Sequence, residues 1–397
     1  MNPSASGWIK KHLPYFLSNT LPTLTGEMGA YIRFRESGFI YGTSLSTFDE
    51  NESNFLKWTE AERTKVNLFD ALVFTYYDTI DNAHENDCIE SILNFYRLLN
   101  TKQQVFFSLS FGKGKPKEQL EKVLAERIQT NEHLLQKNFS HLITNALLYI
   151  DILAYDHYLL TNENPFEYAQ KLENILTNTI WLALQQKEEK NSYDELLLKL
   201  FERSLRYKTT LQNSAQSIEE LSLNAHSTPL EAQYILDLVC LTLWDDQVLD
   251  HSEYIFAHTL AKKLYISPDV LSESLSFTIS FLKEHRKDIT FLNYSNPVKH
   301  FYEQTSRTVS TLVLRNQKRL IEELKQSKDL VRLLGASTVR DLNTDERKVV
   351  RNQLLDICKS VPSLAIFILP GGTLLLPILM KFIPKLLPSA FNENLEQ

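Results

Sequence analysis

Apolar residues recur at intervals of three and four along most of the chain, which is the spacing that places them on one face of an α-helix. The stretches with this spacing are residues 4–20, 59–81, 87–99, 116–132, 134–160, 165–186 and 192–207. Thr59 and Glu62 form a capping-box pair at the start of one of them. The pattern predicts an all-α protein with an N-terminal helical domain over residues 1–215.

One short region departs from the helical spacing. Between Ala30 and Leu45, aromatic and β-branched residues alternate with other residues around Ser37 and Gly38. Alternation of this kind on both sides of a glycine is typical of two short strands joined by a turn. It predicts a small hairpin near residues 30–45.

A second group of helices is marked by its start signals. Thr228 and Pro229 predict the N-cap and first turn of a helix. After an acidic turn a second helix is expected over residues 252–264, and Pro268 opens a third. The pattern predicts a helical module over residues 216–285.

The order helix, acidic turn, helix in this module resembles the TerB-like domains of tellurite resistance, over residues 222–282. The acidic positions are filled by Asp245, Asp246, Asp250 and Glu253. Gln247 stands where the family usually has a glycine, on which a metal-binding turn would depend. The four acids are therefore weak candidates for binding a hard cation, and the alternative is that they cap helices and interact with their dipoles.

A basic helical pattern follows over residues 297–334, and Gly335 is a plausible helix stop. Asn343 and Glu346 then form a second capping-box pair. Together these signals predict a continuous basic helical stalk over residues 286–345.

The C-terminal segment, residues 346–397, contains 21 consecutive residues without a charge, from Ser360 to Met380. As an unbroken helix that rises about 1.5 Å per residue, this apolar run would reach roughly 31 Å, the thickness of a hydrocarbon core. Prolines interrupt the segment repeatedly, and Pro370 is followed by two glycines. Since proline removes a helical hydrogen bond, the pattern predicts an apolar helical hairpin or a kinked membrane span. The membrane-segment candidates are Val361, Pro362, Pro370, Gly371, Gly372, Pro377, Lys381, Pro384 and Pro388.

The proline spacing of this segment resembles that of the Letm family, the leucine-zipper and EF-hand-containing transmembrane proteins. The likeness rests on Val361-Pro362, Pro370, Leu375-Leu376-Pro377, Lys381-Phe382, Pro384 and Leu387-Pro388-Ser389 with Phe391. It implies membrane association linked to exchange of potassium or calcium for protons. A looser resemblance to bacterial Letm-related, biofilm-associated proteins implies a role in envelope assembly. In the family the membrane segment leads into a long domain implicated in ribosome binding. Because the sequence stops at Gln397, the ribosome is expected less than membrane lipid as a partner.

The charge is distributed unevenly along the chain. The formal net charge is −7, yet between Arg286 and Ser360 there are 15 Lys and Arg residues against 9 Asp and Glu. A basic stretch beside an apolar run is typical of the cytoplasmic side of a membrane, where anionic headgroups attract it. The alternative is a solvated helix face.

The three cysteines are far apart and odd in number, which predicts reduced thiols rather than a disulfide framework. The N-terminus lacks the pattern of a secretory signal peptide. We therefore expect an inner-membrane protein with a cytoplasmic body or, alternatively, a cytoplasmic protein.

Candidate chemistry is sparse. Asp78, Asp81 and Glu85 would share one helical face, with His84 beside them. An aspartate followed by a histidine three residues later, as at Asp81 and His84, resembles half of a di-iron carboxylate motif. No second pair completes it, so a solvated or salt-bridged face is the preferred interpretation. The motifs G-x-S-x-G, H-E-x-x-H and G-x-G-x-x-G do not occur in the sequence, and no enzyme activity or cofactor is predicted. The acidic body also argues against DNA as a partner.

Two hypotheses remain for function. The first is a membrane-associated Letm-like protein in cation homeostasis or envelope assembly, in which copies of the chain would line a cavity as a homo-oligomer, because backbone groups freed by proline need partners at membrane depth. The second is a soluble helical interaction scaffold with the apolar segment buried in its core. A carboxylate-bridged metal enzyme is a distant third.

Overall fold

The computed structural model describes twelve stretches of the chain. They are residues 1–48, 58–100, 114–128, 145–186, 217–221, 223, 228–243, 251–285, 309–340, 342–360, 364 and 379. Within these stretches every regular element is helical, so the predicted all-α class is confirmed.

Ten α-helices are bounded within the described part of residues 1–285. They are α1 (Trp8–Tyr15), α2 (Gly26–Glu36), α3 (Glu60–Thr79), α4 (Glu85–Asn100), α5 (Pro116–Ile128), α6 (Tyr149–Thr161), α7 (Pro165–Gln186), α8 (Pro229–Leu243), α9 (His251–Lys263) and α10 (Pro268–Glu284). A π-helical turn, Phe16–Thr20, and a 3-10 turn, Leu21–Thr23, follow α1.

The local start signals function as predicted. The hydroxyl of Thr59 accepts from the backbone N–H of Glu62, and the carboxylate of Glu62 accepts from the N–H of Thr59, which completes the capping box of α3. The Thr228 hydroxyl accepts from the N–H of Glu231, 3.2 Å away, at the start of α8. The Ser267 side chain caps α10 in the same way. Each satisfies backbone donors that the first helical turn leaves unpaired.

The hairpin expected near residues 30–45 is wrong. Residues up to Glu36 belong to α2, and a compact turn follows in which Gly38 and Gly42 have positive φ angles of 80° and 76°. A Cβ atom on Gly38 would come within 2.1 Å of the Thr43 carbonyl oxygen, so this position requires glycine. The alternating aromatic residues are buried in a helix and a turn. Neither element needs to pair with a second strand.

One continuous apolar core joins these ten helices. It extends from Trp8 to Leu271 and so includes side chains from both residues 1–215 and residues 216–285. A buried polar network strengthens the junction: the Tyr31 hydroxyl on α2 donates to the Asp237 carboxylate on α8 at 2.7 Å, and the Arg35 guanidinium lies 3.7 Å from the same carboxylate. Burial raises the pKa of Asp237, and the charge of Arg35 acts in the opposite direction.

A separate group of helices follows at the C-terminal end. It consists of a helical segment at 309–315, α11 (Gln317–Lys325), α12 (Lys328–Val339) and α13 (Thr344–Ser360), and we call it the C-terminal unit. The described part of the unit has its own apolar core, distinct from that of the ten-helix body. The capping box of α13 is confirmed, since Glu346 N–H donates to Asn343 Oδ1 at 2.8 Å and Asn343 N–H donates to Glu346 Oε2 at 2.9 Å.

The structure corrects the predicted stalk. The helical pattern breaks at Asn316 and again at Gln326 and Ser327, so the helices pack against one another rather than continuing as one rod. Gly335 lies inside α12 instead of ending a helix. The apolar stripe that resembled one long helix is thus shared among short helices, whose apolar faces find partners in each other.

The ion pair between Arg127 and Asp151 gives a direct test of the body's packing. Both side chains are buried, and Arg127 donates to Asp151 from Nε at 2.6 Å and from Nη2 at 2.5 Å. Arg127→Met leaves a buried carboxylate without its cation, so we expect the free energy of unfolding to fall by about 3–5 kcal/mol in denaturant titrations.

Lys117→Met is the matched control, because Lys117 also lies on α5 but pairs with Glu85 near the surface. Its loss should change the free energy of unfolding by no more than about 1 kcal/mol. Equal effects of the two substitutions would contradict the assignment of Arg127 as a core residue.

Candidate functional site

The inner face of α13 is the centre of the C-terminal unit. Val350, Leu354, Ile357 and Cys358 are spaced for one side of a helix and are buried. They pack in one cluster with the inner residues of the segment at 309–315, α11 and α12. Burial raises the pKa of the Cys358 thiol to about 12, as expected of a structural cysteine. All three cysteines of the chain are buried and free of disulfides.

Two leucines of the apolar run belong to the same core. Leu364 is 0% exposed and Leu379 is 1% exposed, and both are part of the cluster built on α13. They lie on the two sides of the Pro370 position in the sequence. At these two positions, therefore, the apolar run contributes to the packing of a helical protein core.

The outer face of α13 is basic. Arg347, Lys348 and Arg351 are exposed and fall within about one helical turn of each other, and we call them the basic face of α13. Of the three acids of this helix, two are placed at its start. Asp345 and Glu346 lie in its first turn, where carboxylates favour the helix dipole.

The negative charge of Glu346 is balanced by a neighbouring side chain. Its carboxylate accepts from Arg340 Nη1 at 2.8 Å and from Nη2 at 2.6 Å. The hydrogen bond from Arg340 lowers the pKa of Glu346 to about 2, so this carboxylate stays charged and paired at neutral pH. Because Glu346 is paired with Arg340, its negative charge does not cancel the charge of the basic face of α13.

The acids of the predicted TerB-like turn are only partly placed. Asp245, Asp246 and Asp250 lie outside the described residues, and Glu253 is buried in α9 at 5% exposure. Within the stretches that the structure describes, no group of three or more His, Cys, Asp or Glu side chains is arranged to hold a metal ion.

The carboxylates expected on one helical face are separated. The helix α3 ends at Thr79, so Asp78 lies on α3, Asp81 in a turn and Glu85 at the start of α4. Asn82 has a positive φ of 53°, which reverses the chain between the two helices. The predicted shared face is therefore wrong, and Glu85 instead pairs with Lys117.

A cleft brings a different set of acids together. Glu27 on α2, Asp78 on α3 and Asp156 on α6 line it, above a floor of apolar residues that includes Phe34 and Tyr149. Burial and the charges of the neighbouring acids raise the pKa values of Glu27 and Asp156. Sequence reasoning missed this cleft because its carboxylates come from three helices that are far apart along the chain.

Comparison with known families bears on the C-terminal unit. Residues 342–397 match the family model described as LETM1-like, RBD. Residues 342–397 are therefore a Letm-family segment. The Letm match covers the last 56 of the 397 residues and begins just before α13. No curated protein and no solved structure gives a significant match to the chain.

The Letm match also bears on which part of the family the apolar run corresponds to. The resemblance placed residues 361–391 in the membrane segment of the family, ahead of the ribosome-binding domain. The matched model carries the RBD label and itself includes α13 and the apolar run. The matched range therefore covers α13 and the apolar run together.

The membrane-segment candidates of the Letm-like run lie outside the described residues. These are Val361, Pro362, Pro370, Gly371, Gly372, Pro377, Lys381, Pro384 and Pro388. Among the helices that the structure does describe, none combines the length and the apolar character needed to cross a membrane.

The packing of Leu364 and Leu379 can be tested by shortening each side chain. Leu364→Ala and Leu379→Ala each remove buried methyl groups from the core of the C-terminal unit and should cost about 2–5 kcal/mol. We expect amide hydrogen exchange in α13 of the full chain to accelerate accordingly, because the helix loses packing partners.

Val349→Ala serves as the control, since Val349 lies on the same helix but is 41% exposed. Its effect on α13 exchange should stay below about 0.5 kcal/mol. Unchanged exchange in both leucine variants would show that the apolar run does not support α13.

Proposed function

We propose that this chain is a Letm-like protein whose C-terminal unit docks onto the ribosome through the basic face of α13. The observation that carries the proposal is the coincidence of two features in one helix. The match to the LETM1-like RBD model begins at α13, and α13 exposes three cations on its outer side. In the family, this domain is a ribosome-binding domain.

The chemistry of the basic face suits ribosomal RNA. Phosphate groups dominate the affinity of proteins for nucleic acids, and each Lys or Arg that neutralises one releases a bound counterion. The guanidinium groups of Arg347 and Arg351 can also bind a phosphate through two parallel hydrogen bonds. With Lys348, these two arginines place three cations on one helix, which offers a preorganised contact for the RNA backbone.

The buried inner face supports the same proposal. Because Val350, Leu354 and the two leucines of the apolar run fix α13 in the unit, the outer cations are held on a firm scaffold. A helix whose apolar side is occupied by its own unit is free to offer its charged side to a partner. In this arrangement Leu364 and Leu379 contribute to the core of the unit, and the basic face acts as the binding surface.

Membrane association is the second candidate function. It is supported by the charge-free run from Ser360 to Met380 and by the Letm resemblance, which implies exchange of potassium or calcium for protons or a part in biofilm-associated envelope assembly. In that case the basic residues upstream would meet anionic headgroups at the inner membrane. The burial of Leu364 and Leu379 favours the ribosome-docking proposal, since leucines committed to the core are unavailable to lipid.

The module over residues 216–285 adds a further proposal. We infer a TerB-like unit there from the order of α8, α9 and α10, together with the acidic residues that separate α8 from α9 in the sequence. Since its core is continuous with that of the N-terminal helices, it would act as part of the body rather than as a separate domain.

Ribosome docking can be measured by sedimentation of the full chain with purified ribosomes through a sucrose cushion. The charge-reversal variant Lys348→Glu with Arg351→Glu should bind at least about ten-fold more weakly and should depend less steeply on salt, by about two units of slope in a plot of log affinity against log salt concentration. Lys318→Glu, an exposed change on α11, is the control and should leave binding nearly unchanged.

Equal binding of the charge-reversal variant and the native chain would overturn the assignment of the basic face. Flotation of the same proteins with anionic vesicles separates the two candidates. Binding to vesicles that resists a carbonate wash and is lost on deletion of residues 361–391, with no binding to ribosomes, would favour the membrane function instead.

A further inference from the structure

Among the residues that the structure describes, the C-terminal unit and the body have separate apolar cores, and an ion pair bridges them. Arg315, at the end of the helical segment at 309–315, donates from Nη1 to Glu62 Oε2 at 2.8 Å. The two residues are 253 positions apart in the sequence. Both side chains are largely withdrawn from water, at 13% exposure for Arg315 and 3% for Glu62.

Three parts of the protein meet at Glu62, which lies at the start of α3. Its carboxylate accepts from the N–H of Thr59 at 2.8 Å as part of the capping box, and the hydroxyl of Ser4 donates to its other oxygen at 2.5 Å. The N-terminal segment is fixed beside it, because Lys65 Nζ donates to the Pro3 carbonyl. One carboxylate thus contacts the N-terminal segment, the first turn of α3 and the C-terminal unit.

The electrostatics of the site explain why the pair persists despite burial. Burial acts to raise the pKa of Glu62, but the hydrogen bond and charge of Arg315, with the hydroxyl of Ser4 and the N–H of Thr59, hold that pKa below its ordinary value. Glu62 is therefore charged at neutral pH, and its bond to Arg315 is charge-assisted. Hydrogen bonds of this kind are about twice as strong as neutral ones.

We propose that Glu62 and Arg315 form an electrostatic latch that holds the C-terminal unit on the N-terminal end of α3. Because each side of the contact has its own hydrophobic core, opening the latch moves the unit as a folded whole. The latch lies on a different helix from the basic face of α13, so it adds control over the position of the unit to the proposed binding function. It does not depend on the identity of the bound partner.

The test measures the distance between body and C-terminal unit in the full chain. Spin labels are attached at Asp81→Cys and Asn352→Cys, two exposed positions, while the native cysteines are buried. The decisive variants are Glu62→Gln and Arg315→Gln. Glutamine at position 62 can still complete the capping box, so the first variant removes the charge and keeps the cap.

We expect both single variants to increase the population of long inter-label distances about ten-fold or more, as loss of a charged hydrogen bond should. The double variant should match the singles, because each removes the same interaction. Glu346→Gln is the matched control: it also keeps a capping box and weakens an ion pair, but one inside the C-terminal unit. It should leave the distances unchanged.

Two results would overturn the latch. The first is an unchanged distance distribution in Glu62→Gln and Arg315→Gln while circular dichroism shows both folded. The second is loss of helical structure in both variants, which would show that the pair is needed for folding rather than for holding two folded units together. Opening in Arg315→Gln, which does not touch the capping box, supports the latch even if Glu62→Gln destabilises α3.

Discussion

The packing of the inner face of α13 is the interaction on which the C-terminal unit depends. Val350, Leu354, Ile357 and Cys358 present one apolar stripe to the surrounding helices, and the same stripe collects Leu364 and Leu379 from the apolar run. A helix fixed on one side can present cations on the other without losing its position. The proposed binding surface is therefore a consequence of the packing behind it.

In the body, buried charged side chains on different helices pair with one another. Arg127 neutralises Asp151, Arg35 lies beside Asp237, and Glu62 serves at once as helix cap and as the partner of Arg315. Breaking such pairs costs more than forming them gains, because a charge left alone in the core is not solvated. The pairs therefore specify which helices meet. At Glu62 the same principle extends to the contact between the body and the C-terminal unit.

Local signals in the sequence predicted much of the fold. The capping boxes at Thr59 and Asn343 and the Pro165 and Pro268 starts were readable because the groups that form them lie within one helical turn. The predicted hairpin near residues 30–45 is wrong because alternating aromatic residues satisfy a strand and a buried turn equally well. Gly335 does not end a helix as predicted, because a glycine that ends a helix typically adopts a positive φ and Gly335 does not. Neither the carboxylate cleft nor the Glu62–Arg315 pair could be predicted, since each joins residues that are distant in sequence.

The apolar run was equally difficult to assign from the sequence. Its composition suits a membrane and a protein core alike, and only the packing of Leu364 and Leu379 distinguishes them at those positions.

The proposed binding surface depends on the burial of Leu364 and Leu379 in the core of the C-terminal unit, and thiol labelling tests this burial most directly. Leu364→Cys in the full chain, purified without detergent, should react with a water-soluble maleimide at least about a hundred-fold more slowly than Val349→Cys, since reaction requires an opening of the core. Unfolding in denaturant should make the two rates equal. Equal rates in the native protein would contradict the account, because they would place Leu364 at the surface.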